Sequence, residues 1–172
     1  MVNFWFTADQ HFNHENIIIY CNRPFKSVEH MDRELIRRWN EKVKPGKDVV
    51  IHLGDICFRK RREGILKDYD YYVNQLNGKI ILFKGNHDSK NEVRSILTEG
   101  VIHYGGIDWY MKHEPHNTFK YNLCGHIHEK WRVRRQGPHV CVNVGVDVWD
   151  FYPVSIQEIM RAIQEYDKDG EG

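Results

Sequence analysis

The stretch Lys79-Ile80-Ile81-Leu82-Phe83-Lys84-Gly85-Asn86-His87-Asp88 decides the fold, because an apolar run ends abruptly on a loop of polar donors. A short apolar run bounded by turn formers reads as a buried strand. Such a strand delivers Asn86 and His87 to the C-terminal edge of its sheet, where open α/β sheets place their chemistry. The arrangement then recurs along the chain. Asp9-Gln10-His11 follows Phe4-Trp5-Phe6, and Gly54-Asp55 follows Val49-Val50-Ile51. His113 follows a further apolar run, and Gly125-His126-Ile127-His128 follows another.

Working outward, Val2 to Thr7 reads as a strand that gives way to a loop carrying Asp9, His11, Asn13, His14 and Glu15. Asn16 to Cys21 is apolar and fits helix or strand, and Arg23-Pro24-Phe25 breaks the chain. Ser27 has the character of an N-cap. After it Val28, Met31, Leu35, Trp39 and Val43 repeat at helical spacing until Lys44-Pro45-Gly46. Asp48 to Leu53 is a second strand. Arg59-Lys60-Arg61-Arg62 leads into an expected second helix with the stripe Ile65, Leu66, Tyr69, Tyr72, Val73 and Leu76, closed by Asn77-Gly78. Ser89 and Glu92 have capping-box spacing for a short helix through Leu97. Alternation of strand and helix predicts right-handed crossovers and a mainly parallel sheet.

The second half changes character. Ile107–Met111, Lys120–Leu123 and Val140–Val146 are strand-like with short polar connections, which predicts an antiparallel or mixed second sheet packed on the first. Trp109, Trp131 and Trp149 are expected to fill its core. A last helix starts after Pro153 with Ser155 and Glu158 as a capping box and Ile156, Ile159, Met160 and Ile163 as its buried stripe. The polar tail from Asp167 to Gly172 is expected to fray.

At 172 residues the chain reads as one domain, 1–172, able to bury a core without staples. A formal net charge of +1 gives no global field for nucleic acid or membrane. Cys21, Cys57, Cys124 and Cys141 show no metal-finger spacing and read as reduced thiols of a cytoplasmic protein, and no stretch approaches a membrane span. The unusual feature is 11 histidines, which beside loop aspartates make metal the first chemistry to test.

Taken singly, the motifs are weak. Asp9 and His11 lie two apart and share one side of an extended segment, yet a solvated turn looks the same. Gly54-Asp55 also marks plain turns. His126 and His128 aim two rings to one side, with Gly125 permitting close backbone approach. Taken together, the order D-x-H, G-D, G-N-H-D, H, G-H-x-H, each after a strand, resembles the calcineurin-like metallophosphoesterase family. The resemblance runs from Asp9 to His128, and its opening looks like that of the small bacterial and phage-type members.

That resemblance implies an α/β fold: a four-layer α-β-β-α sandwich of two mixed β-sheets flanked by helices. It implies two divalent metal ions, one held by Asp9, His11, Asp55 and His128, the other by Asp55, Asn86, His113 and His126. Manganese is the first choice, with iron, zinc or nickel also suited to mixed N and O donors. Two such cations, about 3.5–4 Å apart, lower the pKa of a shared water towards neutrality. Four positive charges less two carboxylates and one hydroxide leave a core of roughly +1, which suits an anionic phosphoester. His87 is implied as the catalytic residue, stabilising phosphoryl oxygens or protonating the leaving oxygen. Many members carry an Asp a few residues after the bridging Gly-Asp. Here Ile56-Cys57-Phe58 follows, with no carboxylate, so that partner of His87 is absent or comes from elsewhere.

Asn13, His14 and Arg59 are candidates for substrate contact. The chain is near the family's minimum size with no large cap insertion, which favours a phosphodiester over a small monoester. Lys130, Arg132 and Arg134 would share one face of a strand beside the site, and the run Arg59 to Arg62 follows Asp55 closely. These runs leave open a nuclease acting on nucleotides or nucleic-acid ends. A non-catalytic scaffold on the same fold is the third reading, although the full ligand set is present.

Overall fold

The structure, a computed structural model, describes residues 2–169. Period-two alternation builds the first sheet. In β1 (Phe4–Thr7) and the residues just after it, Phe6 and Ala8 face one hydrophobic core and Trp5 the other. In β2 (Val49–His52) Ile51 joins the first core and Val50 the second, and Leu53 follows Ile51 to the same side. β5 (Lys79–Leu82) sends Ile80 and Leu82 to the second core, while Phe83 beyond it enters the first. β1, β2 and β5 are parallel, and the short β11 (Val154–Ser155) pairs antiparallel on the outer side of β1.

The helices that connect these strands cover one face of that sheet. Asn16–Cys21, ambiguous in sequence, resolves as α1 (Glu15–Tyr20). α2 (Val28–Lys42) starts where expected, with the Ser27 side chain accepting from the His30 N–H. It buries Val28, Met31, Leu35 and Trp39, and Trp39 Nε1 donates to the Asn77 carbonyl at 2.9 Å.

One expected helix is cut to its second half and another is not formed. The segment after Arg59 is a hairpin, β3 (Lys60–Arg62) and β4 (Ile65–Lys67), before a helix of five residues, α3 (Tyr69–Val73). The cause is local: Glu63 and Gly64 both take positive φ, 49° and 80°, the geometry of a two-residue hairpin turn. Ile65 is accordingly exposed. The Ser89–Glu92 capping box fails as well. Only a 3-10 turn, Asp88–Asn91, forms, and Glu92 ends it at φ 59°. The segment beyond then bridges back to β5, with Lys84 N–H donating to Leu97 O at 2.7 Å.

The second sheet is mixed. Its order is β6 (Glu99–Tyr104), β7 (Ile107–Lys112), β8 (Tyr121–Cys124), β10 (His139–Asn143) and β9 (Val133–Gln136). β7, β8 and β10 run parallel to one another, and the edge strands β6 and β9 are antiparallel to their neighbours. Neither edge strand is apolar enough to stand out in sequence. Lys130 and Arg132 precede β9, so only Arg134 of the expected basic face lies on a strand. Trp109 is fully buried between the sheets, Trp149 packs at the margin of that core, and Trp131 is half-buried.

α4 (Ile156–Asp169) adds Ile156, Ile159, Ala162 and Ile163 to the inter-sheet core. It touches β1 and β11 of one sheet and β9 and β10 of the other. Its capping box is made in full: Ser155 Oγ accepts from Glu158 N–H at 3.3 Å, and Glu158 Oε2 accepts from Ser155 N–H at 2.8 Å. Helix continues through Asp167 to Asp169 rather than fraying there, and the rest of the expected tail, 170–172, lies outside the described residues. The four cysteines are free thiols. No helix among the described residues is long and apolar enough to cross a membrane.

Trp39 is 1 % exposed at the centre of the helix-side core. Its replacement, Trp39→Ala, is expected to cost about 3–5 kcal/mol of stability, read as a lower urea midpoint at unchanged slope.

Candidate metal centre

The two parallel strand sets end on the same side. β1, β2 and β5 release the loops carrying Asp9, Asp55 and Asn86, while β7, β8 and β10 release those carrying His113, His126 and Asp147. Six of these loop residues are held at positive φ: Asp9, His11, Asn13, Asp55, His126 and His128, between 50° and 72°. Left-handed backbone is unfavourable for residues with a Cβ, and its concentration here marks a functional site.

Two carboxylates organise the cluster. Asp9 Oδ2 accepts the His126 N–H at 2.8 Å, and Asp55 Oδ1 accepts the His87 N–H at 2.9 Å. Each therefore fixes a neighbouring loop with one oxygen and presents the other to the cluster. Asp55 Oδ2 lies 3.6 Å from His11 Nε2 and 3.4 Å from His113 Nε2, and Asp9 Oδ1 lies 4.0 Å from His11 Nε2. Asn86 Oδ1 is 2.9 Å from both His113 Nε2 and His126 Nδ1. The glycines of the motifs are required by this crowding. A Cβ on Gly85 would overlap the Asp55 carboxylate, and one on Gly125 the Asp9 carboxylate.

A second set of contacts orients the rings. His113 Nδ1 is 2.7 Å from the Leu53 carbonyl, which leaves Nε2 facing Asp55. His11 Nδ1 is 3.3 Å from His14 Nδ1, and His128 Nδ1 is 3.1 Å from Asp147 Oδ2. Asp147 is in turn clamped by Arg23, through Nε at 2.7 Å and the second terminal nitrogen at 2.9 Å. The same guanidinium donates to the Asp9 and Gln10 carbonyls. Arg23 and Asp147 have no motif of their own, and their pairing spans 124 positions, so local sequence gave no signal for it. Asp88 is buried and accepts from the backbone N–H of Gly85, Asp55 and Ile56, tying the β2 and β5 loops together.

The donor chemistry fits cations. Asp9 Oδ1 and His11 Nε2 are buried without a hydrogen-bond partner, a cost that native structures seldom leave uncompensated. Asp9, His11 and His128 bring ligand atoms within 4.8 Å of one another, as do Asp9, Asp55 and His113. Cys21, His128 and Asp147 form a third such group. Burial, with the Asp147 charge beside it, pushes the Cys21 thiol up to about 12, and Arg23 already neutralises Asp147, so this third group is a poor cation site.

Protonation follows the same crowding. Burial raises Asp9 to about 6. Burial drives His11 well below the ordinary histidine range and His14 down to about 4. His113 is carried up to about 9, because its hydrogen bond to Asp55 and the Asp9 charge together outweigh its burial. A cation held here would compete with the His113 proton and would give the Asp9 carboxylate a partner.

The expected substrate contacts divide. Asn13 is buried, with its amide spent on the Phe58 and Lys60 carbonyls and its oxygen on Arg62, so it ties the β3–β4 hairpin down and does not reach a ligand. Arg59 is paired with Glu92 at 3.2 Å, and Arg62 lies 3.4 Å from Glu15 and 3.7 Å from Glu29. His14 is at the cluster's margin, stacked on Phe58 at 3.8 Å. His87 has no carboxylate partner among the described residues. Its ring neighbours are Phe58 at 5.4 Å and His11 at 5.6 Å.

A family model described as calcineurin-like phosphoesterase matches residues 2–156. An uncharacterized protein of Methanocaldococcus jannaschii is 34 % identical over 173 residues, covering 96 % of this chain and 93 % of that protein. A solved structure of a protein of unknown function from Aquifex aeolicus superposes with TM-score 0.68 at 23 % identity, covering 94 % of this chain and all of that one, which shows the shared fold.

The raised Asp9 fixes a sign. Its carboxyl ionises near 3.8 when unfolded but near 6 when folded, so its ionisation costs stability as pH rises through that window and remains costly above it. Asp9→Asn is therefore expected to raise the melting temperature of the metal-free protein at pH 7. The wild type should gain further stability on manganese addition and the variant less, both read by calorimetry.

Proposed function

The chain belongs to the calcineurin-like phosphoesterase family, and from that premise we propose that it is a phosphodiesterase using two divalent cations. The observation that carries the two-cation reading is the pair of buried, unpartnered atoms Asp9 Oδ1 and His11 Nε2 in the middle of a converging donor set. Asp9, His11, Asp55 and His128 would hold one cation, and Asp55, Asn86, His113 and His126 the other, with manganese the first choice for these mixed donors. When bound, such cations supply a nucleophile from water near neutral pH and polarise the phosphoester.

The protein's own groups set the rest. The Arg23–Asp147–His128 chain holds the His128 ring, and the Leu53 carbonyl holds that of His113. His87 stands beside the donors with its backbone N–H fixed on Asp55. Phe58 and His11 beside it supply no charge partner, which favours a hydrogen-bond donor to the phosphoryl oxygens over a tightly tuned proton shuttle. Asn86 and His126 are exposed, so the cluster opens to solvent on that side, which suits a substrate with a second ester group. Arg59 and Arg62, two of the four cations that follow Asp55, are ion-paired, which supports a discrete phosphoester over a long polyanion.

Metal-stripped protein titrated with manganese should hydrolyse bis-p-nitrophenyl phosphate faster than p-nitrophenyl phosphate. His87→Ala should lower kcat on the diester by roughly 10²–10³-fold. Faster monoester hydrolysis, or activity indifferent to metal, would contradict the proposal.

A further inference from the structure

One side of the metal cluster carries a row of rings with no ionic partner. Tyr20 stands edge-on to His14 at 6.2 Å, His14 is stacked on Phe58 at 3.8 Å with 13° between planes, and Phe58 is 5.4 Å from His87. The row is anchored to the cluster at both ends. His87 follows Asn86 directly, and Cys21, next to Tyr20, brings its sulfur within 4.8 Å of ligand atoms of His128 and Asp147.

The row is not explained as core. Tyr20 is 68 % exposed and its neighbour Ile19 77 % exposed, at the C-terminal end of α1, whose buried residue is Ile17. Phe58 and His14 are half-buried. Exposed aromatic and aliphatic surface next to a polar reaction centre fits a flat apolar group on the substrate. Beside this surface Arg62 is held by Asn13, Glu15 and Glu29, and Arg59 by Glu92, which leaves Lys60 and Arg61 as the cations of that run unpaired among the described residues. Stacking beside so short a run of unpaired cations favours one nucleobase over a strand.

We propose that Tyr20, His14 and Phe58 form a stacking ledge for the nucleobase of a nucleotidyl phosphodiester whose phosphate sits at the metal cluster. This rests on the phosphodiesterase reading and names its substrate class. Tyr20 is the open end of the ledge, and His14 and Phe58 are its back.

The test separates the ledge from the chemistry by using two diesters with equally poor leaving groups, dimethyl phosphate and the methyl ester of thymidylate. Calorimetry on the manganese-loaded full chain should show the thymidylate ester binding roughly ten-fold or more tightly than dimethyl phosphate. Tyr20→Ala should bring it down to the affinity of dimethyl phosphate, while Tyr20→Phe retains the preference. Tyr20 is on the surface, so neither change threatens the fold. Equal affinities in the wild type, or a preference that survives Tyr20→Ala, would overturn the ledge. Failure of bis-p-nitrophenyl phosphate hydrolysis would instead overturn the phosphodiesterase reading, and the binding comparison decides the ledge in either case.

Discussion

The site depends on how two buried carboxylates divide their oxygens. Asp9 and Asp55 each give one oxygen to the backbone N–H of a loop from another strand, His126 and His87 respectively. Each then turns the other oxygen into a pocket of imidazole nitrogens. Those N–H groups are also what hold the loops in register, so assembly of the fold and assembly of the donor set are one event. An acidic pair this buried is unfavourable by itself, and the cost is visible in the raised pKa of Asp9. A bound cation would remove that cost.

Everything upstream serves to bring those loops together. Parallel strands place their C-terminal ends on one edge, and the protein uses three parallel strands in each sheet to do it twice. The inter-sheet core, from Phe6 and Leu53 to Trp109 and Val142, fixes the distance between the two edges. Glycine at 85 and 125 lets the loops meet at less than side-chain distance. Asp88 and the Arg23–Asp147 pair then lock the outer contacts.

Much of this is legible in the chain. The apolar runs before Asp9, Asp55, Asn86 and His126 are short and bounded by glycine or polar residues, so their strands and the edge they share can be read directly. The Ser27 and Ser155 caps are visible for the same local reason. What escapes is set by partners far away in sequence. The stretch from Ile65 to Leu76 has a helical stripe, but the Glu63-Gly64 turn folds its first part into a hairpin that Asn13 holds to the site. Ser89 and Glu92 have cap spacing, yet Asp88 is committed to three backbone N–H groups across the site, and the turn stops short. The hairpin joining β6 and β7 does carry a signal, Gly105-Gly106, both at positive φ. The Arg23–Asp147 clamp carries none, because nothing local distinguishes a buried ion pair of this separation from two surface charges.

In the proposed function the carboxylate–histidine cluster would hold two cations, with Asp55 a ligand to both. Anomalous diffraction from a manganese-soaked crystal tests it most directly. Two peaks are expected, one among Asp9, His11, Asp55 and His128, the other among Asp55, Asn86, His113 and His126. A single peak, or density centred on Cys21, His128 and Asp147, would contradict the account.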